Sequence, residues 1–458
     1  MNLEEKLEQL KKAAAKTDRD VQLKRQLEHL RRLEARARNG APVSRAGPLL
    51  PAQRARQGIE AYVEGRTGQN AWGEFFVARQ AIPFGRPYGR LRIAHLATAD
   101  LNPLNLFLEN ASLPDPSRLV FLDTETTGLV GGTGTCAFLI GIGAVEGSQF
   151  VVRQFFLRDY PEERAMLGAL TEALGNSLGI VTFNGKTFDI PLLETRYALA
   201  RLESPLARLL HLDLLHPARR LWKLRLESCA LTNLESEVLG IRREGDVDGS
   251  DIPGIYFDYL RTGDARGLQP VFYHNALDIL SLAALTTEMA SVIGAHSEEG
   301  GREPLRAAAT PTSSLDLFSL SRIFQRSGAP ELSLSTCRRA LEAGLPQAIE
   351  TQALWQLAAQ HKRRREHERA VELWLEITQR EAQFAIRAFE ELAMYYEHRV
   401  RDARKALEYA EEAVEFLNSS PADFESGPVT APRHLQRFSH RLARLRKKMG
   451  REKRSLAV

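Results

Sequence analysis

The sequence has few cysteines, no long apolar run and little excess charge of either sign. Its three cysteines, Cys136, Cys229 and Cys337, form no CxxC pair, which argues against a zinc ribbon or a disulfide framework and predicts buried free thiols. The longest apolar run, CAFLIGIGAV, is too short to cross a bilayer. The N-terminal stretch MNLEEKLEQLKK mixes acids with bases and has no apolar core, unlike a signal peptide. These absences predict a cytoplasmic protein without a membrane contact.

The overall composition excludes little else. A formal net charge of +4 over 458 residues is too small to indicate a nucleic-acid-binding protein on its own. Hydrophobic residues make up 43% of the chain and charged residues 26%, as in an ordinary globular protein, and the length allows two or three domains. Function therefore has to be inferred from motifs.

Changes in pattern divide the chain into six segments. These are a charged N-terminal helix (1–38), a linker and N-terminal extension (39–117), an α/β domain (118–295), a second linker (296–314), helical repeats (315–418), and a loop with a basic C-terminal helix (419–458). In the first segment Leu3, Leu7 and Leu10 share one helix face. That face either pairs with a partner helix or lies on the body of the protein.

The middle of the chain has the alternation of elements that is typical of an α/β domain. The apolar run LVFL stops at Asp123, and a Gly-rich turn then leads to two further strands, CAFLIGIGAV and FVVRQFFLRD. A short strand, IVTF, and the helical pattern DIPLLETRYALARL follow. Hairpin-linked strands followed by helix–strand alternation predict a ribonuclease-H-like sheet.

Three segments after residue 315 share their apolar spacing, and a small residue opens a second helix about twelve residues after each of them. The segments begin at Leu317, Leu354 and Phe389, and the small residues are Ser333, Ala370 and Ala406. The period of roughly 35 residues is close to that of tetratricopeptide repeats. The alternative is a helical bundle with accidental periodicity.

Three short stretches of the α/β domain together supply four carboxylates. FLDTETTG contains Asp123 and Glu125, TFNGKTFDIPLL contains Asp189, and YHNALDILSL contains Asp278. Each acid follows an apolar strand or lies on an apolar helix, where clustered like charges are costly unless a cation neutralises them. Hydrolysis of a phosphodiester by two divalent ions roughly 3.5–4 Å apart needs such oxygen ligands. The four acids therefore predict a site for two divalent cations, Mg²⁺ or Mn²⁺.

Spacing assigns a position to the first three acids. Asp123 and Glu125 are two residues apart at a strand end, so both leave the same face, with Asp123 able to bridge two ions. Thr124 is expected to point the other way, into the packing. Asp189 opens a helix after the next strand and follows Asn184 in an N-x-x-x-F-D arrangement.

A helical stretch carries the fourth acid and the predicted water-orienting residue. His274 lies four residues before Asp278 and shares its helix face. An imidazole with an unperturbed pKa of about 6.5 can orient or deprotonate the attacking water. Tyr273 is the alternative, but five residues before Asp278 it points well round the helix. We therefore predict His274 for this role.

Other residues near these motifs have weaker signals. Four of them are predicted to border the substrate: Thr126, Asn184, Phe188 and Tyr273. Another set has metal-ligand chemistry but lies in a stretch, HLDLLHPARR, that is more typical of a packed domain edge: His211, Asp213 and His216. Asp246 lies in a Gly-rich acidic loop that does not match a calcium loop and is a candidate border of the substrate channel.

The motifs FLDTETTGL, TFNGKTFDIPLLETR and HNALDILSL resemble the three exonuclease motifs of the DEDD superfamily of 3′–5′ exonucleases. The stretch LESCALTNLESEVLGIRREGDVDGSDIPGIYFDYLRTGD is similar to one in YprB-type ribonuclease-H-like proteins, which are bacterial proteins that often carry tetratricopeptide repeats after the nuclease-like domain. The resemblance implies a ribonuclease-H-like fold and metal-dependent 3′–5′ exonuclease activity. It also implies that the metal ligands are Asp123, Glu125, Asp189 and Asp278.

The chain departs from the superfamily pattern at one point. Its branches usually carry either His with four residues before the Asp or Tyr with three. This sequence has the reverse, Tyr273 with four and His274 with three. The departure concerns the residue that orients the water and not the metal ligands.

The leading hypothesis is a two-metal 3′–5′ exonuclease domain fused to a repeat module that recruits a partner protein or positions the substrate. The substrate would be the 3′ end of single-stranded DNA or RNA, and the sequence does not choose between them because no contact to a 2′-hydroxyl can be located. One alternative is a non-catalytic nucleic-acid-binding scaffold that uses the repeats for protein interaction. Another is an endonuclease of the ribonuclease H type.

Overall fold

The computed structural model describes residues 58–128, 134–297, 312–419 and 431–455. A compact α/β unit contains most of the chain up to Ala295, and an all-α unit contains the helices that follow, which confirms the predicted fold classes. Several predicted segments lie outside the described residues. They are the N-terminal helix, residues 39–57 of the first linker and extension, residues 298–311 of the second linker, the centre of the Gly-rich turn at 129–133, and the loop at 420–430.

The strands of the α/β unit form one large sheet and one small hairpin. In chain order they are β1 (Gly65–Asn70), β2 (Gly73–Pro83), β3 (Pro87–Tyr88), β4 (Leu91–Arg92), β5 (Leu119–Thr126), β6 (Ala137–Glu146), β7 (Gln149–Phe156), β8 (Gly179–Thr182) and β9 (Leu210–Asp213). The large sheet has the order β1-β2-β7-β6-β5-β8-β9, and β3 and β4 form the hairpin. Within the part β1-β2-β7-β6-β5 of this sheet, neighbouring strands are antiparallel, whereas β8 is parallel to both β5 and β9. An antiparallel meander joined to parallel strands is the predicted ribonuclease-H-like arrangement.

In the described part of the chain, seven α-helices accompany the strands up to Gly294. They are α1 (Ala94–Thr98), α2 (Glu163–Ala173), α3 (Asp189–Leu199), α4 (Leu215–Trp222), α5 (Leu231–Leu234), α6 (Ile252–Thr262) and α7 (Gln269–Gly294). Of these described helices, α7 is the longest and packs on β5 and β6. The stretch Arg266–Gly294 is long and apolar enough to cross a membrane, but 89% of its most apolar window is buried inside the protein. A helix that is apolar on all sides is accounted for by a core position.

The folded unit begins earlier in the chain than predicted. Strands β1 and β2, which precede residue 118, belong to the large sheet because β2 pairs with β7 along Phe76 to Pro83. The pattern of β1, GRTGQN, has no apolar alternation, and its side chains are exposed or half-buried. Edge strands of this kind are hard to identify because packing does not select their side chains. The described part of the segment assigned to a linker and extension is therefore structured.

The all-α unit consists of helix pairs followed by a long final helix. Its helices are α8 (Ser314–Arg326), α9 (Pro330–Glu342), α10 (Gln347–Arg363), α11 (His367–Ile377), α12 (Ala382–Tyr395), α13 (Ala403–Ser419) and α14 (Ala431–Ser455). The three segments with shared spacing lie in the first helix of each pair. Their apolar residues Leu317, Leu354 and Phe389 belong to three clusters of buried side chains. Each cluster joins the two helices of a pair to the helix that follows, as in stacked repeats.

Small residues make the close approach of the paired helices possible. Ser333, Ala370 and Ala406 are all fully buried in the second helix of their pairs, as the repeat pattern predicts. The basic helix α14 packs on the last pair through Phe438 and Leu445. It is therefore part of the folded unit, and two of its basic residues, Arg441 and Arg444, pair with Glu397.

Candidate metal centre

The first two acids lie where β5 leaves the core. Leu119 to Leu122 are buried, whereas Asp123 and Glu125 are half-buried. Side chains alternate along a strand, so Asp123 and Glu125 leave the same face, as predicted. That face is the one on which α7 packs, because Asn275 of α7 donates from Nδ2 to Oδ2 of Asp123 at 2.9 Å.

The orientation of the Asn275 amide follows from its neighbours. Nε2 of the buried Gln154 donates to the carbonyl of Phe272 at 2.7 Å and also contacts Oδ1 of Asn275 at 2.9 Å. Because a carbonyl can only accept, the Gln154 amide is fixed, and so is that of Asn275. The NH₂ group of Asn275 must then face Asp123. A neutral donor thus holds the central carboxylate in place.

A glycine makes room for this contact. Gly141 pairs with Asp123 across β5 and β6. A Cβ atom at Gly141 would lie 2.1 Å from Oδ1 of Asn275. Any side chain here would displace Asn275 and with it the support of Asp123.

Thr124 differs from its predicted place in the packing. It does point away from Asp123, but its Oγ1 donates to Oδ1 of Asp189 at 2.5 Å. Asp189 is the first residue of α3 and is buried. The opposite face of β5 thus supports the third acid by a hydrogen bond rather than only by apolar packing.

The loop before α3 is held by a buried acid. Asp213 at the end of β9 accepts from the backbone N–H groups of Asn184 at 2.7 Å, Lys186 at 3.0 Å and Leu215 at 3.0 Å. Asn184 has a φ of 66°, in the left-handed region that Asn adopts more readily than most residues. The interpretation of this stretch as a packed edge is supported, because Asp213 is used by backbone donors and Nε2 of His211 bonds Oγ1 of Thr182 at 2.8 Å. Burial lowers the pKa of His211 to about 4, so the ring is neutral.

The fourth acid lies beside the predicted histidine. Nε2 of His274 is 3.6 Å from Oδ2 of Asp278, one helical turn away on α7. Glu125, His274 and Asp278 each offer a ligand atom, and the three atoms lie within 4.8 Å of one another. The structure therefore joins the first and third motifs at one point.

Burial raises the pKa values of the acids at this site. Burial raises the pKa of Asp123 well above its usual range, and Asp278, Glu125 and Asp189 raise it further. Burial likewise raises the pKa of Glu125 to about 8 and that of Asp189 to about 6. The pKa of His274 is raised although burial opposes this, because Asp278 and Glu125 favour the imidazolium. Carboxylate oxygen donors of this kind fit Mg²⁺ or Mn²⁺.

An arginine that the sequence did not single out also contacts the centre. The guanidinium of Arg243, whose side chain is only 8% exposed, contacts Asp278 and pairs with Glu235 at 2.5 Å and Asp246 at 3.0 Å. Asp246 in turn lies 2.9 Å from Nδ1 of His274 through both of its oxygens. The prediction that Asp246 borders a channel thus placed it near the site but missed its contact with His274.

An open cleft of about 400 Å³ gives access to these groups. Asp123, Asp189, His274 and Asp278 line one side of it, together with Asn184 and Phe188. The ring of Phe188 is 49% exposed. Arg219 and residues 228–232 form another part of the lining, and Arg219 had no signal in the sequence beyond its charge.

Two predicted substrate residues do not line this cleft. Thr126 donates from Oγ1 to the carbonyl of Gly128 at 2.9 Å and ends β5. Tyr273 is 45% exposed on α7, and unlike His274 it is not among the residues that line the cleft. The turn of the helix places His274, and not Tyr273, beside Asp278, in agreement with the facing argument.

Comparison with known proteins adds an independent finding. A sequence profile described as RNase_H superfamily matches residues 120–290, the range that contains all four acids and His274. The chain is also 32% identical over 334 residues to the protein of Bacillus subtilis (strain 168) named "Uncharacterized protein YprB". That similarity covers 72% of this chain and 75% of the Bacillus protein.

Proposed function

The chain belongs to the YprB family of the RNase_H superfamily, and on this basis we propose that it is a metal-dependent 3′–5′ exonuclease acting on single-stranded DNA or RNA. Proteins of this superfamily are usually nucleases, which are hydrolases. The observation that carries the proposal is that Asp123, Asp189, His274 and Asp278 line one open cleft, with Glu125 close to His274 and Asp278.

In this proposal two divalent cations are held by Asp123, Glu125, Asp189 and Asp278. When bound, such ions neutralise phosphate charge and make a water molecule more acidic. The raised pKa values of Asp123 and Glu125 support this assignment, because a cation would favour the ionised carboxylates that burial opposes. Oxygen ligands alone do not distinguish Mg²⁺ from Mn²⁺.

His274 is the group proposed to orient the attacking water and accept its proton. Its Nδ1 side is occupied by Asp246, so Nε2 is the nitrogen that faces Asp278 and the cleft. An imidazole held by a carboxylate at one nitrogen presents the other as a base. Tyr273 would not serve this role from its exposed position outside the cleft lining.

The cleft supports a single-stranded substrate. The exposed ring of Phe188, next to Asp189, is proposed to stack on the terminal base, and Asn184 to contact the same nucleotide. Stacking on aromatic rings accepts every base, which suits an exonuclease without sequence preference. Thr126 and Tyr273 remain proposed contacts further along the strand.

The helix pairs after residue 313 are proposed to be tetratricopeptide-like repeats that bind a partner protein or position the substrate. The three successive clusters of buried side chains, each joining a helix pair to the next helix, support repeats. Cytoplasmic location is proposed on the three cysteines, which are buried thiols as predicted.

The test is a degradation assay with 5′-labelled single-stranded DNA and RNA in Mn²⁺ or Mg²⁺. We expect a ladder that shortens from the 3′ end and is absent in Asp123→Ala. A closed circular single strand is the matched control, since an exonuclease leaves it intact while an endonuclease cuts it. Equal activity of wild type and Asp123→Ala would indicate contamination and reject the proposal. Binding of the strands without any shortening would instead support the scaffold alternative.

A further inference from the structure

Behind the candidate metal centre lies a chain of buried polar contacts built around Arg243. Glu235, which is 1% exposed, accepts from Nε of Arg243 at 2.7 Å and from Nη2 at 2.5 Å. Glu235 also accepts from the hydroxyl of Ser281, which lies 2.7 Å from the hydroxyl of Tyr88. A bidentate pair of this kind fixes the plane of the guanidinium.

The fixed guanidinium directs its remaining N–H groups at two acids. Nη2 contacts Oδ1 of Asp278, and Nη1 donates to Oδ2 of Asp246 at 3.0 Å. Only one oxygen of Asp278 is taken in this way. The other, Oδ2, faces Nε2 of His274.

Asp246 carries the effect of Arg243 on to the histidine. Both of its oxygens are 2.9 Å from Nδ1 of His274, whereas Nη1 of Arg243 is 3.5 Å from the same nitrogen. A carboxylate can only accept, so Nδ1 carries a proton toward Asp246, and the long contact from Arg243 is not a hydrogen bond. The ring plane of His274 is therefore set by Asp246, which Arg243 holds.

We propose that Arg243 is the positioning residue of the metal centre, which it orients at two points. It holds Asp278 by one oxygen so that the other is free for a cation, and through Asp246 it turns Nε2 of His274 toward the same place. This inference rests on the proposed function of the site as a metal centre. Partners behind metal ligands orient them in this manner, and their loss costs about 10- to 100-fold in metal affinity or activity.

The experiment measures Mn²⁺ affinity directly, from the electron paramagnetic resonance signal of the free ion, in the full chain without nucleic acid. Arg243→Gln is expected to bind Mn²⁺ about 10- to 100-fold more weakly than wild type. Arg243→Lys keeps the charge but cannot form the bidentate pair and should fall in between. Arg242→Gln is the matched control, because Arg242 is the exposed neighbour of Arg243, and its affinity should equal that of wild type.

Circular dichroism in the presence of a chelator checks that each variant is folded, and if Arg243→Gln is not, Arg243→Lys and Asp246→Asn carry the test. A folded Arg243→Gln with wild-type Mn²⁺ affinity would overturn the inference, since Arg243 would then only pack. Tighter binding would also overturn it, because Arg243 would then compete with the ion. If wild type binds Mn²⁺ but hydrolyses no nucleic acid, the proposed exonuclease activity is rejected. The role of Arg243 in metal binding is then still decided by the measured Mn²⁺ affinities.

Discussion

The two units of the molecule both bury carboxylates, but they neutralise them differently. In the all-α unit Glu397 is 6% exposed and accepts from Arg441 at 3.1 Å and Arg444 at 2.7 Å. In the α/β unit Asp123 and Asp189 have only neutral side-chain donors, Asn275 and Thr124. Among the described residues, no lysine or arginine pairs with Asp123, Glu125 or Asp189.

The difference separates acids that stabilise the fold from acids that are proposed to bind a cation. A salt bridge with arginine offsets part of the desolvation cost of a buried carboxylate, whereas a buried carboxylate without such a partner has a raised pKa. The α/β unit contains both kinds, because Arg243 neutralises the buried Glu235 in the same unit. Glu125 and Glu397 offer the sharpest contrast, since the same substitution can be made in each.

The largest expected effect is that of Glu125→Gln on activity. The variant keeps the shape of the side chain but removes a proposed metal ligand, and we expect kcat/KM to fall by roughly 10²- to 10³-fold, since bound metal supplies several kcal/mol. The free energy of unfolding in a chelator should rise by about 1–2 kcal/mol near neutral pH, because the raised pKa of Glu125 makes folding at that pH require uptake of a proton, whereas glutamine does not titrate. Steady-state kinetics and urea unfolding measure the two. A variant that is both active and less stable would place Glu125 among the structural acids.

Glu397→Gln should behave in the opposite way. Loss of the charge leaves Arg441 and Arg444 without their shared partner, and we expect the all-α unit to lose about 1–3 kcal/mol, a range that allows for the 58% exposure of Arg444. Degradation of a short oligomer should be unchanged at a temperature where the variant is folded. A loss of activity in folded protein would show that the two kinds of buried acid cannot be separated as argued.

The stability of the metal-free protein should fall as pH rises. Burial raises the pKa of Glu125 to about 8 in the folded state, while the unfolded value is about 4.5, so between these the folded state binds more protons. The stability contributed by protonated Glu125 is therefore present at low pH and is lost as pH rises through about 8. Asp189, whose pKa is raised to about 6, adds to this loss up to about pH 6. The raised pKa of His274 acts in the same direction. Thermal unfolding should show a midpoint that is lower by a few degrees at about pH 8 than at about pH 5.

Divalent cations should reverse this trend if they bind the ionised acids. Millimolar Mn²⁺ should raise the unfolding temperature more at about pH 8 than at about pH 5, since less proton competes for the site. Glu125→Gln is the control and should reduce the pH dependence of both the unfolding temperature and its increase by Mn²⁺. A shift by Mn²⁺ that is independent of pH would mean that the ion binds elsewhere.

The smallest expected effect is that of Thr124→Val. The substitution is close to isosteric and removes the hydroxyl that donates to Asp189, so we expect a loss of about 1 kcal/mol in metal-bound protein. Urea unfolding in saturating Mn²⁺ measures it, with Thr171→Val as a control whose hydroxyl bonds the carbonyl of Leu167 away from the acids. If only Thr124→Val also weakens Mn²⁺ binding, the neutral donor positions Asp189 for the ion. Equal effects of both variants on binding would contradict that role.

Much of the fold was predictable because periodicity is local. Three elements could each be predicted from the pattern of their own residues: the strand before Asp123, the strand before Asn184 and the helix around Asp278. The repeat spacing likewise placed the helix pairs, and the three clusters of buried side chains fall where it predicts. What failed was β1, whose exposed residues have no pattern, and with it the domain start at residue 118.

The supporting residues of the site were missed for a different reason. Asn275 reaches Asp123 across 152 positions, and Arg243 reaches Asp278 across 35. A buried amide or arginine has no sequence spacing that distinguishes it from any other polar residue. The only signal was Asp246, an acid in a Gly-rich loop, and its partner could not be named.

The sequence by itself determined which residues are the candidates for the chemistry. Strand ends and helix faces follow from periods of two and 3.6 residues, so Asp123, Glu125 and the His274–Asp278 pair were set by local pattern. Only the tertiary structure decided how those groups are charged and aimed. The partner of a buried acid, whether Arg243, Thr124 or no cationic side chain, comes from segments that are distant in the sequence. Packing of the whole unit brings those segments together, and the neighbouring residues along the chain do not determine it.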